Sequence, residues 1–120
     1  MEGALETLDV IRLFVARGNI TICDHAFNQM LDRNISIDTV EKILCDSENQ
    51  LLEIQCKSST PGKEHTHDRY LIYAPEVDDD VIVVTVVLSD QDEVEVITAE
   101  HVDYSKWEYR EKENPALLRK

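Results

Sequence analysis

With 120 residues, 42% of them apolar and only three Gly and three Pro, the chain has the make-up of a single soluble domain, residues 1–120, able to bury a core without staples. Twelve Lys and Arg stand against 25 Asp and Glu, a formal charge of −13, and this argues against ordinary nucleic-acid binding, where phosphate neutralisation dominates affinity. No run is long and apolar enough to span a bilayer, and Met1-Glu2-Gly3 is not a basic-then-apolar leader, so the expected location is cytoplasmic with no membrane association.

Residues 4–17 place Leu5, Leu8, Ile11 and Val15 at helical spacing, and Gly18-Asn19 reads as a stop. Ile20-Thr21-Ile22 is a short extended entry. Asp24 is the expected cap of a second helix, about 25–33, ended by Asn34. Ser36 or Asp38 opens a third helix with Ile37, Val40, Ile43 and Leu44 inward. The pattern then changes to period two. Leu51–Cys56 is a strand, Ser58–Glu64 a turn-rich loop, and Thr66–Ala74 a second strand. Pro75–Asp80 is an acidic turn. Val81–Leu88, β-branched almost throughout, is a central strand covered on both faces, and Val94–Ala99 alternates as a fourth. Residues 101–113, with Val102, Tyr104, Trp107 and Tyr109, suggest a C-terminal helix sealing the core. The expected class is therefore α+β, with the helices on one face of a roughly four-stranded antiparallel sheet.

Charge is unevenly spread. Residues 1–105 carry 7 Lys and Arg against 22 Asp and Glu, whereas residues 106–120 carry 5 against 3. Such a body attracts basic partners and repels polyphosphate unless a local basic pocket intervenes. Cys23, Cys45 and Cys56 fit no metal framework and read as reduced thiols, the last two in or near the core. His65 and His67, beside Glu64 and Asp68, offer two metal ligands, with His101 or Glu100 as a third, but paired loop histidines are commonly solvated. Asp78-Asp79-Asp80 lacks the glycine and distal glutamate of a calcium loop. No metal and no cofactor is expected. Trp107, Tyr104 and Tyr109 beside Lys106 and Arg110 form a cationic aromatic stretch.

The second helix carries the chemistry worth weighing. Each residue advances about 100° and rises about 1.5 Å, so Phe27, Met30 and Leu31 form one apolar face and His25, Asn28, Gln29 and Asp32 the opposite one. Arg33 falls at the border, about 12 Å along the axis from His25. That separation excludes a nucleophile–base contact, but Gln29, four residues from each, can link them through hydrogen bonds. Each also has a plain structural role, His25 near the helix start and Arg33 in the last turn, where a cation suits the free carbonyls.

The run His25-Ala26-Phe27-Asn28-Gln29-Met30-Leu31-Asp32-Arg33-Asn34-Ile35 resembles the family called domain of unknown function 4258, with its His-Ala start and spaced Met, Arg and Ile. Arg69-Tyr70-Leu71, Val83-Val84 and Ile97-Thr98-Ala99 extend the resemblance over about residues 20–100, leaving the first helix and the segment 101–120 as additions. That family is similar at a distance to RelE/BrnT-like toxins, small α+β proteins of which several cleave RNA or bind an antitoxin. The resemblance implies a site in which Arg69 holds a phosphate, His25 acts as acid or base beside Arg33, and Tyr70, Tyr73 or Thr98 positions the substrate, with Gln29 as a further binding residue.

Because the chain is so acidic, the expected function is a regulatory or interaction protein on that scaffold, binding a basic protein partner. The alternative is a metal-independent, toxin-like ribonuclease using His25, Arg33 and Arg69, with RNA disfavoured by charge. A weaker alternative is an inhibitor whose carboxylates imitate nucleic acid.

Overall fold

The computed structural model describes residues 2–57 and 67–120, with side chains from Thr7 onward. Chain order is α1 (Glu2–Ala16), β1 (Ile20–Ile22), α2 (Asp24–Arg33), α3 (Ile37–Cys45), β2 (Gln50–Gln55), β3 (Arg69–Ala74), β4 (Asp78–Leu88), β5 (Glu93–His101), β6 (Trp107–Tyr109) and β7 (Leu117–Arg119). The class is α+β. Five strands run in the order β1-β5-β4-β3-β2, and β6 and β7 form a separate hairpin. No helix among the described residues is long and apolar enough to cross a membrane.

The expected central strand is central: β4 is the middle strand, and Val81 to Val86 are buried. Its two faces serve two cores. Val81 and Val83 join Ile72, Val94, Val96 and Ala99 under the three helices, packed against Ile11, Met30, Val40 and Leu44. Ile82 and Val84 join Leu71 and Tyr73 beneath Val102, Trp107, Ala116 and Leu117. The helices therefore cover one face and the C-terminal hairpin the other, which hides a β-branched strand that would otherwise invite edge pairing and aggregation.

Local chemistry explains the joints. Gly18 ends α1 at φ +80, a conformation glycine adopts without a Cβ penalty, and its N–H donates to Val15 O at 2.9 Å. Asn34 ends α2 in the left-handed region, donating to Leu31 O, while Ile35 N donates to Met30 O. Ser36 caps α3 by accepting from Thr39 N at 3.0 Å. Asn49 is buried and donates to Ile43 O and Leu44 O, satisfying the free carbonyls at the end of α3.

Several expectations change. The entry at Ile20–Ile22 is a fifth strand paired parallel to β5, so the sheet is mixed. The cap of α2 is Cys23, whose Sγ accepts from Ala26 N at 3.4 Å, and Asp24 is already helical. Asp78–Asp80 extend β4 instead of forming a turn. No C-terminal helix forms. Asp103 accepts from Ser105 N and Ser105 Oγ through its carboxylate and from the Lys106 and Trp107 amides through its carbonyl, a tight turn after which Trp107 points inward and Glu108 outward at strand spacing. Cys45 and Cys56 are exposed, not core. Ile37, expected inward, is exposed as well. The Ser58–Glu64 loop, Thr66 and the candidate ligands Glu64 and His65 lie outside the described residues, as does the Leu5 side chain.

Candidate functional site

The orientation of α2 sets up the site. Its buried residues are Ala26 and Met30, while Phe27 is 40% and Leu31 64% exposed. The helix is thus turned by roughly a quarter turn from the face its apolar residues predict. The cause lies in β5. β1 pairs only with Val94–Val96, so the outer edge of β5 beyond Val96 has no strand partner, and α2 packs along it. An open strand edge presents carbonyls that must find donors. Arg33 supplies them: its Nη1 donates to Ala99 O at 2.8 Å and to Thr98 Oγ1 at 3.2 Å. Satisfying that edge draws Arg33 and Gln29 inward and leaves two large apolar side chains in solvent.

The bonds run in one consistent direction. Arg33 donates to the Thr98 hydroxyl, which donates to Gln29 Oε1. The Gln29 amide nitrogen then meets His25 Nε2 at 2.9 Å, so that ring nitrogen accepts. Gln29 therefore links His25 and Arg33, directly at one end and through Thr98 at the other. A bulge prepares Thr98 for this. Thr85 pairs with Val96 and Val84 with Thr98, leaving Ile97 as an extra residue that redirects the strand.

On the hairpin side of the sheet, a cleft of about 510 Å³ opens between β3, β4, β5 and the hairpin. Arg33 and Thr98 line it from the β5 edge, Arg69 from β3, and Lys106 and Arg119 from the C-terminal segment. Four of the chain's twelve Lys and Arg side chains meet there, against two lining carboxylates, Glu100 and Asp103. Leu71, Val84 and Trp107 give it an apolar floor. The cations are not equivalent. Arg119 lies 4.2 Å above the Trp107 ring and donates to both oxygens of Glu53, which holds that carboxyl below its ordinary range. The Arg69 guanidinium has no hydrogen-bond or ion-pair partner among the described residues, and Asp68 beside it accepts from Lys57 N at 2.7 Å.

His101 closes one end of the cleft. Its Nε2 donates to Arg33 O at 2.7 Å, and its Nδ1 lies 3.0 Å from Asp80 Oδ2. A carbonyl and a carboxylate, one on each ring nitrogen, both favour the imidazolium, and the His101 pKa rises, chiefly through the bond to Arg33 O. His101 also ties the last turn of α2 to β4 and β5.

Of the residues proposed from sequence, Arg33, Arg69 and Thr98 share the cleft, and Gln29 and His25 join it only through the bond to Thr98. Tyr70 and Tyr73 stand apart. Tyr70 packs with the helix-side core, and burial raises its pKa. Tyr73 is fully buried and donates to Asp79 O at 2.7 Å, with its pKa raised by burial as well. Neither lines the cleft. Sequence reasoning passed over His101, Lys106 and Arg119 as members of this site. The signal for two of them was present in the basic excess of residues 106–120, which the hairpin folds back over an acidic body. Among the described residues no cluster of three or more His, Cys, Asp or Glu could hold a metal ion.

Comparison with curated proteins and with solved structures gives no match. The family model described as Domain of unknown function (DUF4258) matches residues 22–101, which run from the last residue of β1 to the last of β5 and include His25, Gln29, Arg33, Arg69, Thr98 and His101. The match spans about two thirds of the chain and contains the whole network from Arg33 to His25, and the chain belongs to the DUF4258 family.

Proposed function

We propose that the protein is a non-enzymatic interaction module whose anionic surface, centred on the outward side of α2, docks a basic protein partner. The observation that supports this most is the rotation of α2. Phe27 and Leu31 sit in solvent next to the exposed Asp24, Asn28 and Asp32, while the one arginine of the helix is turned toward the sheet. A short apolar strip rimmed by carboxylates complements a segment that presents Lys and Arg around apolar residues. Withdrawal of Arg33, Arg69 and Arg119 into the cleft leaves the remaining surface more acidic than the composition alone implies.

The experiment is capture by immobilised protein at low and high salt, with wild type compared with a Phe27→Ser, Leu31→Ser double variant. Both side chains are exposed, so the variant should fold. A basic protein that is retained at low salt, released at high salt and lost with the variant is the expected result. Recovery that is indifferent to salt and to both substitutions defeats the reading.

A toxin-like ribonuclease is the competing reading, favoured by one observation: Arg33 and Arg69 line the same cleft. Proton transfer needs a group within hydrogen-bond reach of the reacting atoms and free to exchange a proton. His25 lies outside the cleft, and both ring nitrogens of His101 are engaged. Binding is better supported than catalysis. Expression in a host cell should be harmless and leave RNA intact. RNA breakdown that Arg69→Ala abolishes would favour the nuclease instead.

A further inference from the structure

We infer that the cleft lined by Arg33, Arg69, Thr98 and Lys106 is a binding site for a compact phosphate dianion, of the kind carried by a phosphomonoester small molecule. The argument begins with ion pairing. In a chain with more than twice as many carboxylates as cations, Arg12, Arg110 and Arg119 each hold a carboxylate, whereas Arg17, Arg33 and Arg69 hold none among the described residues, and of these three Arg17 is exposed and only Arg33 and Arg69 line the cleft. Two guanidinium groups left unpaired at a half-buried position, facing one hollow, lack the partner that charge and geometry call for.

Arg33 is also held in place. Its bonds to Ala99 O and Thr98 Oγ1 fix the guanidinium before any ligand arrives, so little side-chain entropy remains to be lost. Its other N–H groups have no partner among the described residues. Arg69 and the exposed Lys106 face the same space from other walls. A carboxylate has two oxygens and satisfies one fork. A phosphomonoester has three terminal oxygens and can be shared by two forks and an ammonium. The apolar floor of Leu71, Val84 and Trp107 lowers the local dielectric and strengthens each contact.

Size and charge set the upper limit. A volume of about 510 Å³ suits a small molecule. Glu100 and Asp103 in the lining, and the −13 body outside it, oppose any row of phosphates that extends beyond the cleft.

The test is calorimetric or NMR titration of the full chain with inorganic phosphate, a nucleoside 5′-monophosphate and succinate. Both phosphate probes should bind, weaken with salt, and shift the amides of Arg33, Arg69 and Thr98. Succinate should bind at least ~10-fold more weakly, the loss expected for about one charge-assisted contact. Arg69→Ala and Lys106→Ala should each weaken phosphate by about the same factor with melting unchanged, and Arg69→Lys should restore part of the loss. The inference fails if neither phosphate probe binds at millimolar concentration, if succinate binds as well as phosphate, or if Arg69→Ala binds like wild type. None of these results touches the docking proposal, which depends on Phe27 and Leu31.

Discussion

Arg33 donates to the carbonyl of Ala99 at 2.8 Å, so a side chain closes the edge of β5 where a strand would otherwise pair. That contact explains both surfaces of α2. It commits Arg33 and Gln29 to the sheet beside the buried Ala26 and Met30 and, because a helix has only one inward face, turns Phe27 and Leu31 out. An edge protected in this way resists pairing with another chain while keeping a guanidinium beside the cleft.

Thr98 is the hinge of this arrangement, accepting from Arg33 and donating to Gln29. Thr98→Val removes both bonds at nearly constant volume. The expected cost is about 1–2 kcal/mol in urea denaturation. Gln29→Ala should cost less when combined with Thr98→Val than alone, since the two share one bond. Strict additivity would show that the network is not coupled.

His101 makes stability depend on pH. Its pKa is raised from the ordinary value of 6.5, so its contribution is complete below that value and is lost as pH rises through the higher folded value. Stability measured by denaturation from pH 6 upward should therefore fall through the neutral range, with the α2 C-terminal turn loosening first in hydrogen exchange. His101→Gln should flatten that part of the profile. An unchanged slope would remove His101 from the account.

Thr85 is fully buried on β4, and its hydroxyl has no hydrogen-bond partner among the described residues. Its cost should be recoverable. Thr85→Val keeps the shape and discards the unsatisfied group, and it should raise stability by about 1 kcal/mol. A loss of stability would mean that the hydroxyl is satisfied in solution.

Arg119 shields Trp107, the single tryptophan, which is 4% exposed. Arg119→Ala should shift the fluorescence of that residue to the red and cost about 1 kcal/mol or less, as suits a half-exposed cation over a ring. An unshifted emission would place the guanidinium away from the ring.

Much of the fold can be read from local pattern. Val81–Leu88 declares a central strand because β-branched residues without alternation need cover on both faces. Asn34 and Gly18 declare helix ends because few residues tolerate the left-handed region. The rotation of α2 was not legible: its apolar periodicity points Phe27 and Leu31 inward, and the strand edge that overrides it lies more than sixty residues away in the chain. The hairpin was missed for a similar reason. Trp107 and Tyr109 suit either period over so short a run, and the Asp103 turn decides between them. Half of the cleft was visible as motif residues, Arg33, Arg69 and Thr98. Of the cleft's other two cations, Lys106 was visible in the cationic aromatic stretch and Arg119 only as a change in charge, and neither could be assigned to the cleft because sequence does not say over which face a tail will fold.

The central claim is electrostatic: four of the twelve Lys and Arg side chains gather into one small cleft, and the acidic surface around it repels extended polyanions. Fluorescence anisotropy of a labelled single-stranded RNA oligonucleotide, titrated with purified protein at low salt, tests it most directly. The account predicts no saturable binding at micromolar protein. Tight RNA capture that weakens steeply with salt and disappears in Arg69→Ala would contradict it.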